Sequence, residues 1–122
     1  MRVLTNNYFH KQLEDHGLGE DYLSAVLEDV VKGRSISLGN KLYKIRAAGP
    51  SKGKSGGFRN IFFWKKEELI VFCQLFPKSR QDNITPKRSR ELTILADNYV
   101  KLTDEDVDQL IHVKEFREIK YD

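Results

Sequence analysis

Lys44 and Arg46 stand two residues apart in the segment Leu42-Tyr-Lys-Ile-Arg-Ala47. Alternate side chains of a strand share a face, so this spacing projects both cations to one side and Tyr43, Ile45 and Ala47 to the other. The loop that follows, Gly49-Pro-Ser-Lys-Gly-Lys-Ser-Gly-Gly57, is rich in glycine and carries Lys52 and Lys54. Such a loop can bring backbone N–H groups close to a phosphate. Arg59 opens the next apolar segment, and Lys78 and Arg80 follow the one after it. If these segments are neighbouring strands, the cations converge on one groove.

A cationic groove of this kind suits phosphate transesterification. Cleavage of RNA by its own 2′-hydroxyl requires that oxygen to lose its proton, the phosphorane charge to be stabilised and the leaving 5′-oxygen to gain a proton. Arginines can clamp the developing charge with paired N–H donors. Crowding among like charges lowers a lysine's pKa and makes it a better base near neutral pH. This chemistry needs no metal, no histidine and no cofactor. The same groove would equally serve to bind RNA or DNA without cutting it, and the residues alone leave both alternatives open.

Other chemistries have less support. His10, His16 and His112 lie in acidic stretches and none has ligand-like spacing to Cys or paired carboxylates. Lys52-Gly-Lys-Ser-Gly-Gly57 superficially resembles a phosphate loop, but its glycine spacing is wrong and it lies between strands. Cys73 is the single cysteine and sits inside an apolar run, which fits a small core residue and rules out a disulfide within the chain.

The elements that position the cations follow from periodicity. Asn7 is the expected cap of a first helix carrying Tyr8, Phe9 and Leu13 and stopped by Gly17. Leu23, Val26, Leu27 and Val30 form one stripe of a second helix, with Glu20 and Asp21 in its first turn and Gly33 at its exit. Three strands follow at Leu42–Ala47, Phe58–Trp64 and Leu69–Phe76. The last two join through Lys65-Lys-Glu-Glu68 as an antiparallel hairpin, and Leu69–Phe76 is apolar enough for burial on both faces. Thr85-Pro86 opens a helix bearing Leu92, Leu95, Ala96, Tyr99 and Leu102. Thr103-Asp-Glu-Asp106 reads as a capping box for a final short helix with Val107, Leu110 and Ile111. The expected class is α+β, with two N-terminal helices packed on a small antiparallel sheet and helices at the C-terminal end.

Composition agrees. The 122 residues are 39% hydrophobic and 32% charged, the size of one domain spanning residues 1–122. No apolar run is long enough for a membrane span and no secretory signal is visible, so a cytoplasmic protein is expected. The net charge of +3 conceals a strong asymmetry. Residues 1–31 have two basic and six acidic side chains, residues 32–90 fifteen and three, and residues 91–122 four and nine. A basic centre between acidic ends suits a polyanionic partner.

The stretches Leu38-Gly-Asn-Lys-Leu-Tyr-Lys-Ile-Arg46, Gly53-Lys-Ser-Gly-Gly-Phe-Arg59, Phe76-Pro-Lys78 and Asn83-Ile84, in that order, resemble the RelE/HigB superfamily of bacterial toxins. The resemblance implies a RelE-like fold and metal-independent cleavage of messenger RNA in the ribosomal A site. It also implies neutralisation by a cognate antitoxin, expected to be of the helix-turn-helix type. Carried onto this sequence, the active residues would be Lys44, Arg46, Arg59 and Lys78, with Lys52, Lys54 and Arg80 holding RNA. Lys44 or Arg46 would lie near the 2′-hydroxyl, and Arg59 and Lys78 on the scissile phosphate. Relatives often have a base-stacking tyrosine near the start of the third helix, where this chain reads Gln81-Asp-Asn-Ile-Thr-Pro86. Phe58, Trp64 or another exposed ring is then a candidate for the stacking, although each ring taken singly is more readily read as core. A gyrase-poisoning toxin of the ParE branch and a non-catalytic nucleic-acid-binding module are the alternatives. The convergent cations argue against the first. The absence of a helix-turn-helix pattern argues against the second.

Overall fold

A computed structural model describes residues 1–48, 57–78 and 84–120. In chain order the elements are β1 (Arg2–Asn6), α1 (Asn7–Asp15), α2 (Glu20–Val31), β2 (Ile36–Gly39), β3 (Leu42–Ala47), β4 (Phe58–Lys65), β5 (Leu69–Pro77), α3 (Pro86–Tyr99), α4 (Asp104–His112) and β6 (Phe116–Ile119). The strands form one six-stranded sheet in the order β2-β3-β4-β5-β1-β6.

The class is α+β, but the sheet is larger than expected and is mixed rather than antiparallel. β1 runs parallel to β5, with Val3 opposite Ile70 and Thr5 opposite Phe72. Reading the first third as purely helical overlooks β1, where Val3 to Asn6 are all buried and no alternation marks a strand. Its burial comes instead from its place between β5 and β6. The cap of α1 is correspondingly Asn6, the last residue of β1, whose side chain accepts the Phe9 N–H at 2.9 Å. Asn7 is the first residue of the helix.

Local chemistry explains the other boundaries. Asn40 and Lys41 both have positive φ, the backbone that a two-residue hairpin between β2 and β3 requires. The β4–β5 hairpin turns through Lys66-Glu67-Glu68, with Glu67 left-handed at φ 68°. Thr85 caps α3 by accepting the Arg88 N–H, and Pro86 occupies the first turn, where its missing donor is harmless. In the capping box of α4 the Thr103 hydroxyl accepts the Asp106 N–H at 3.2 Å, and the Asp106 carboxylate accepts the Thr103 N–H at 3.0 Å.

Two hydrophobic clusters flank the sheet. Leu13, Leu23, Val26, Leu27 and Val30 of α1 and α2 share one with Val3, Ile45, Phe62, Ile70 and Phe72. Leu92, Ala96, Tyr99 and Val107 of α3 and α4 share the other with Leu4, Leu42, Ile61, Phe63, Val71 and Phe116. Every residue from Leu69 to Phe76 is buried, as expected for a strand covered on both faces. The acidic C-terminal segment is tied to the far end of β1. Arg2 forms ion pairs with Asp104, Asp108 and Glu118, and its bonds to Glu118 and Asp108 raise its already high pKa.

Cys73 is fully buried, and its Sγ lies 3.2 Å from the carbonyl oxygen of Val71. Burial pushes the thiol pKa up to about 12, which suppresses the reactive thiolate. Thiol reagents at neutral pH are therefore expected to label the protein only at the rate of its unfolding. Fast labelling in native buffer would contradict this placement.

Candidate functional site

The cations of the sheet can be placed row by row from the strand register. Arg46 lies directly opposite Arg59, and Lys44 directly opposite Ile61. Directly paired residues of an antiparallel ladder project to the same face, with side chains about 5 Å apart. Ile61 belongs to the cluster of α3 and α4, so Lys44, Arg46 and Arg59 all face that side.

Lys78 reaches the same face through an irregularity. Phe62 pairs with Phe72 but Ile61 pairs with Gln74, so β5 spends one extra residue, Cys73, against β4. The alternation of β5 reverses there. Val71 belongs to the α3 side and Phe72 to the α1–α2 side, whereas beyond the bulge Leu75 belongs to the α1–α2 side and Phe76 to the α3 side. Phe76 pairs with Arg59; Lys78 lies in the turn just beyond β5, where its N–H to the Gly57 carbonyl prolongs the ladder, and continued alternation directs it to the side of Phe76. Unbroken alternation from Val71 would have sent Lys78 to the opposite face, so this bulge re-aims a side chain.

The backbone at this end depends on Gly57. Its φ is +77°, and a Cβ there would lie 2.2 Å from the Ala47 carbonyl oxygen. Its own carbonyl accepts the Lys78 N–H at 3.0 Å. The last glycine of the Lys-Ser-Gly-Gly-Phe-Arg stretch thus lets the ends of β3, β4 and β5 meet.

Among the described residues, Lys44, Arg46, Arg59 and Lys78 enter no ion pair, which they share with exposed cations such as Lys32 and Lys101; what sets the four apart is their convergence on one end of the sheet. Arg46 is exposed, while Lys44, Arg59 and Lys78 are half-buried. The Arg59 Nε is buried without a hydrogen-bond partner among the described residues. Burying a guanidinium N–H unsatisfied is unfavourable, and an incoming anion would satisfy it. On the same face Gln74 accepts a hydrogen bond from Arg88 Nε, whose guanidinium also lies 4.4 Å from the Tyr8 ring centroid. Arg88 is a cation near the site that sequence reasoning missed; only its place in the first turn of α3 hinted at it.

The two rings considered for stacking take the core alternative instead. Phe58 packs on the α1–α2 face, edge-on to His16 at 5.2 Å and to Tyr22 at 5.9 Å. Trp64 packs on that face against Tyr43 and Phe62. Both alternate with the cations along their strands and so point away from them. Lys52, Lys54 and Arg80 lie outside the described residues, as does Asn83. The histidines are dispersed: His10 lies 3.7 Å from Glu14 within α1, His16 ends that helix and His112 ends α4.

A six-stranded α+β fold with a bare cationic strip beside α3 is the setting in which comparison with known proteins becomes informative. The family model described as RelE toxin of RelE / RelB toxin-antitoxin system matches residues 1–119. The chain belongs to this family of toxins, and membership implies a cognate antitoxin. Comparison with curated proteins gives no match. Among the described residues no helix is long and apolar enough to cross a membrane.

Proposed function

We propose that this toxin is a ribosome-dependent, metal-independent endoribonuclease that cuts messenger RNA and so inhibits translation in the cytoplasm. The reading rests on one observation: Arg46 and Arg59 face each other beside Lys44 on one side of the sheet, and none of the three enters an ion pair among the described residues. Like charges held opposite one another are unfavourable without an anion to neutralise them. A ribose–phosphate linkage supplies that charge.

In this scheme Lys44, or Arg46 beside it, lies at the 2′-hydroxyl and serves as the base that takes its proton. The 2′-oxygen forms a bond to phosphorus while the bond from phosphorus to the 5′-oxygen breaks. Arg59 and Lys78 stabilise the added phosphorane charge, and a protonated cation of the strip returns a proton to the leaving 5′-oxygen. The products are a 2′,3′-cyclic phosphate and a 5′-hydroxyl. Lys52, Lys54 and Arg80 hold the RNA backbone on either side. The antitoxin, of a helix-turn-helix type, silences the toxin by laying an acidic or amphipathic segment over the strip.

Purified protein incubated with programmed ribosomes is expected to produce messages ending in a 2′,3′-cyclic phosphate, equally whether or not the toxin was treated with chelator and desalted before mixing. Intact messages accompanied by gyrase-dependent DNA breaks would place the protein with the gyrase poisons instead. Ends carrying a 5′-phosphate would defeat the proposed attack by the 2′-oxygen.

A further inference from the structure

With Phe58 and Trp64 on the opposite face, the cationic strip needs another surface to receive a base. Ile36 of β2 pairs directly with Lys44, and Lys44 with Ile61, so Ile36 stands on the same face as the strip. It is a β-branched apolar side chain, yet it is 57% exposed, and Leu38 beside it is 42% exposed. Leu38 falls at the register step between Ser37 and Gly39, where β2 spends an extra residue opposite β3. Adjacent exposed apolar side chains bordering a polar strip mark a binding surface more strongly than isolated ones do.

The geometry points to Ile36 and Leu38 as the apolar wall that takes the nucleobase on the 5′ side of the scissile phosphate. This inference rests on the nuclease reading above. Ile36 on β2 pairs directly with Lys44 on β3, one strand spacing of roughly 5 Å away, and Arg59 on β4 is the diagonal neighbour of Lys44, roughly 7–8 Å away on the other side. The nucleotide that donates the attacking 2′-hydroxyl has its 3′-phosphate on one side and its base on the other. With phosphate at Arg59 and hydroxyl at Lys44, its base is directed to β2. The uncompensated cations favour RNA as the occupant during catalysis, because its phosphates answer their charge while its base reaches β2, whereas a strand added along β2 by backbone pairing alone would not. Aliphatic contact reads ring area rather than hydrogen-bonding edges, so a purine at this nucleotide is favoured over a pyrimidine without strict sequence selection.

The test is the initial rate of cleavage on ribosomes programmed with a purine or a pyrimidine at that nucleotide. Ile36→Thr keeps the branched shape of an exposed residue while making it polar. It is expected to slow cleavage of the purine message about tenfold and to narrow the purine preference, in line with the loss of one base-stacking contact. Ile36→Phe is expected to restore or increase both. Rates for Ile36→Thr within twofold of the parent, with Lys44→Ala inactive, would overturn this inference and leave the nuclease reading standing. Unchanged cleavage with weakened antitoxin binding would assign the wall to the protein partner and overturn it too. If the parent protein leaves ribosomal messages intact, both readings fall.

Discussion

Replacing Lys44 and Arg59 together with alanine is expected to abolish growth arrest and to reduce message cleavage by at least about 10²–10³-fold, the loss typical of removing one preorganised charge-stabilising group. Arg59→Lys separates charge from geometry. It keeps the positive charge but loses the planar fork and the buried Nε donor, so cleavage is expected to remain strongly impaired. Stability is expected to move in the opposite direction. Arg59 sits across from Arg46 and buries an unsatisfied donor, both of which disfavour the folded protein. Arg59→Met retains the alkyl stem that packs on the sheet and removes both liabilities, so it is expected to melt at or above the parental temperature, by up to about 1 kcal/mol. A double alanine variant that remains folded and toxic would show that the strip is not the catalytic centre. A sharply destabilised Arg59→Met would mean that Arg59 serves the fold instead.

The parts of this site that could be read in the sequence are those set by local rules. Lys44 and Arg46 share a face because a strand alternates, and that holds wherever the strand goes. The capping box of α4 marks a helix start by short-range hydrogen bonding, and Pro86 marks another because its missing N–H is harmless in a first turn. What could not be read depends on contacts distant in sequence. β1 and β6 are five and four residues long, and only pairing with each other and with β5 makes them strands. The direct opposition of Arg46 and Arg59 needs the β3–β4 register, which an intervening loop of unspecified path does not reveal. The face of Lys78 depends on a single extra residue at Cys73, and no residue type there announces a bulge. The faces of Phe58 and Trp64, by contrast, follow from alternation alone. An aromatic ring beside cations in a strand sequence belongs to the opposite face whenever its offset is odd, and theirs from Arg59 is odd.

Asn60 makes the strongest case that the opposite face of the sheet governs the site. It is fully buried, it sits between Arg59 and Ile61, and it pairs with Ile45. Its Oδ1 accepts the Tyr22 hydroxyl at 2.8 Å and its Nδ2 donates to the Ile45 carbonyl at 3.3 Å. One side chain therefore ties α2 to β4 and reinforces the β3–β4 ladder one residue from the Arg46–Arg59 pair. Asn60→Ala removes both bonds and leaves the Tyr22 hydroxyl buried and unanswered, for an expected loss of about 2–4 kcal/mol, a Tm lower by roughly 10 °C or more. Tyr22→Phe removes only one bond and leaves Oδ1 unpaired, for about 1–2 kcal/mol. Because the two side chains share a bond, the double variant should be less destabilised than the sum of the two singles. Burial raises the Tyr22 pKa well above that of a free phenol. The folded protein thus favours the neutral hydroxyl, and this contribution is complete below about pH 10, the phenol's unfolded pKa, and declines at higher pH. Tyr22→Phe should accordingly flatten the alkaline limb of the stability curve. Strict additivity in the cycle, together with an unchanged alkaline limb, would mean that the Tyr22–Asn60 bond does not hold β4 in place beneath the cationic strip.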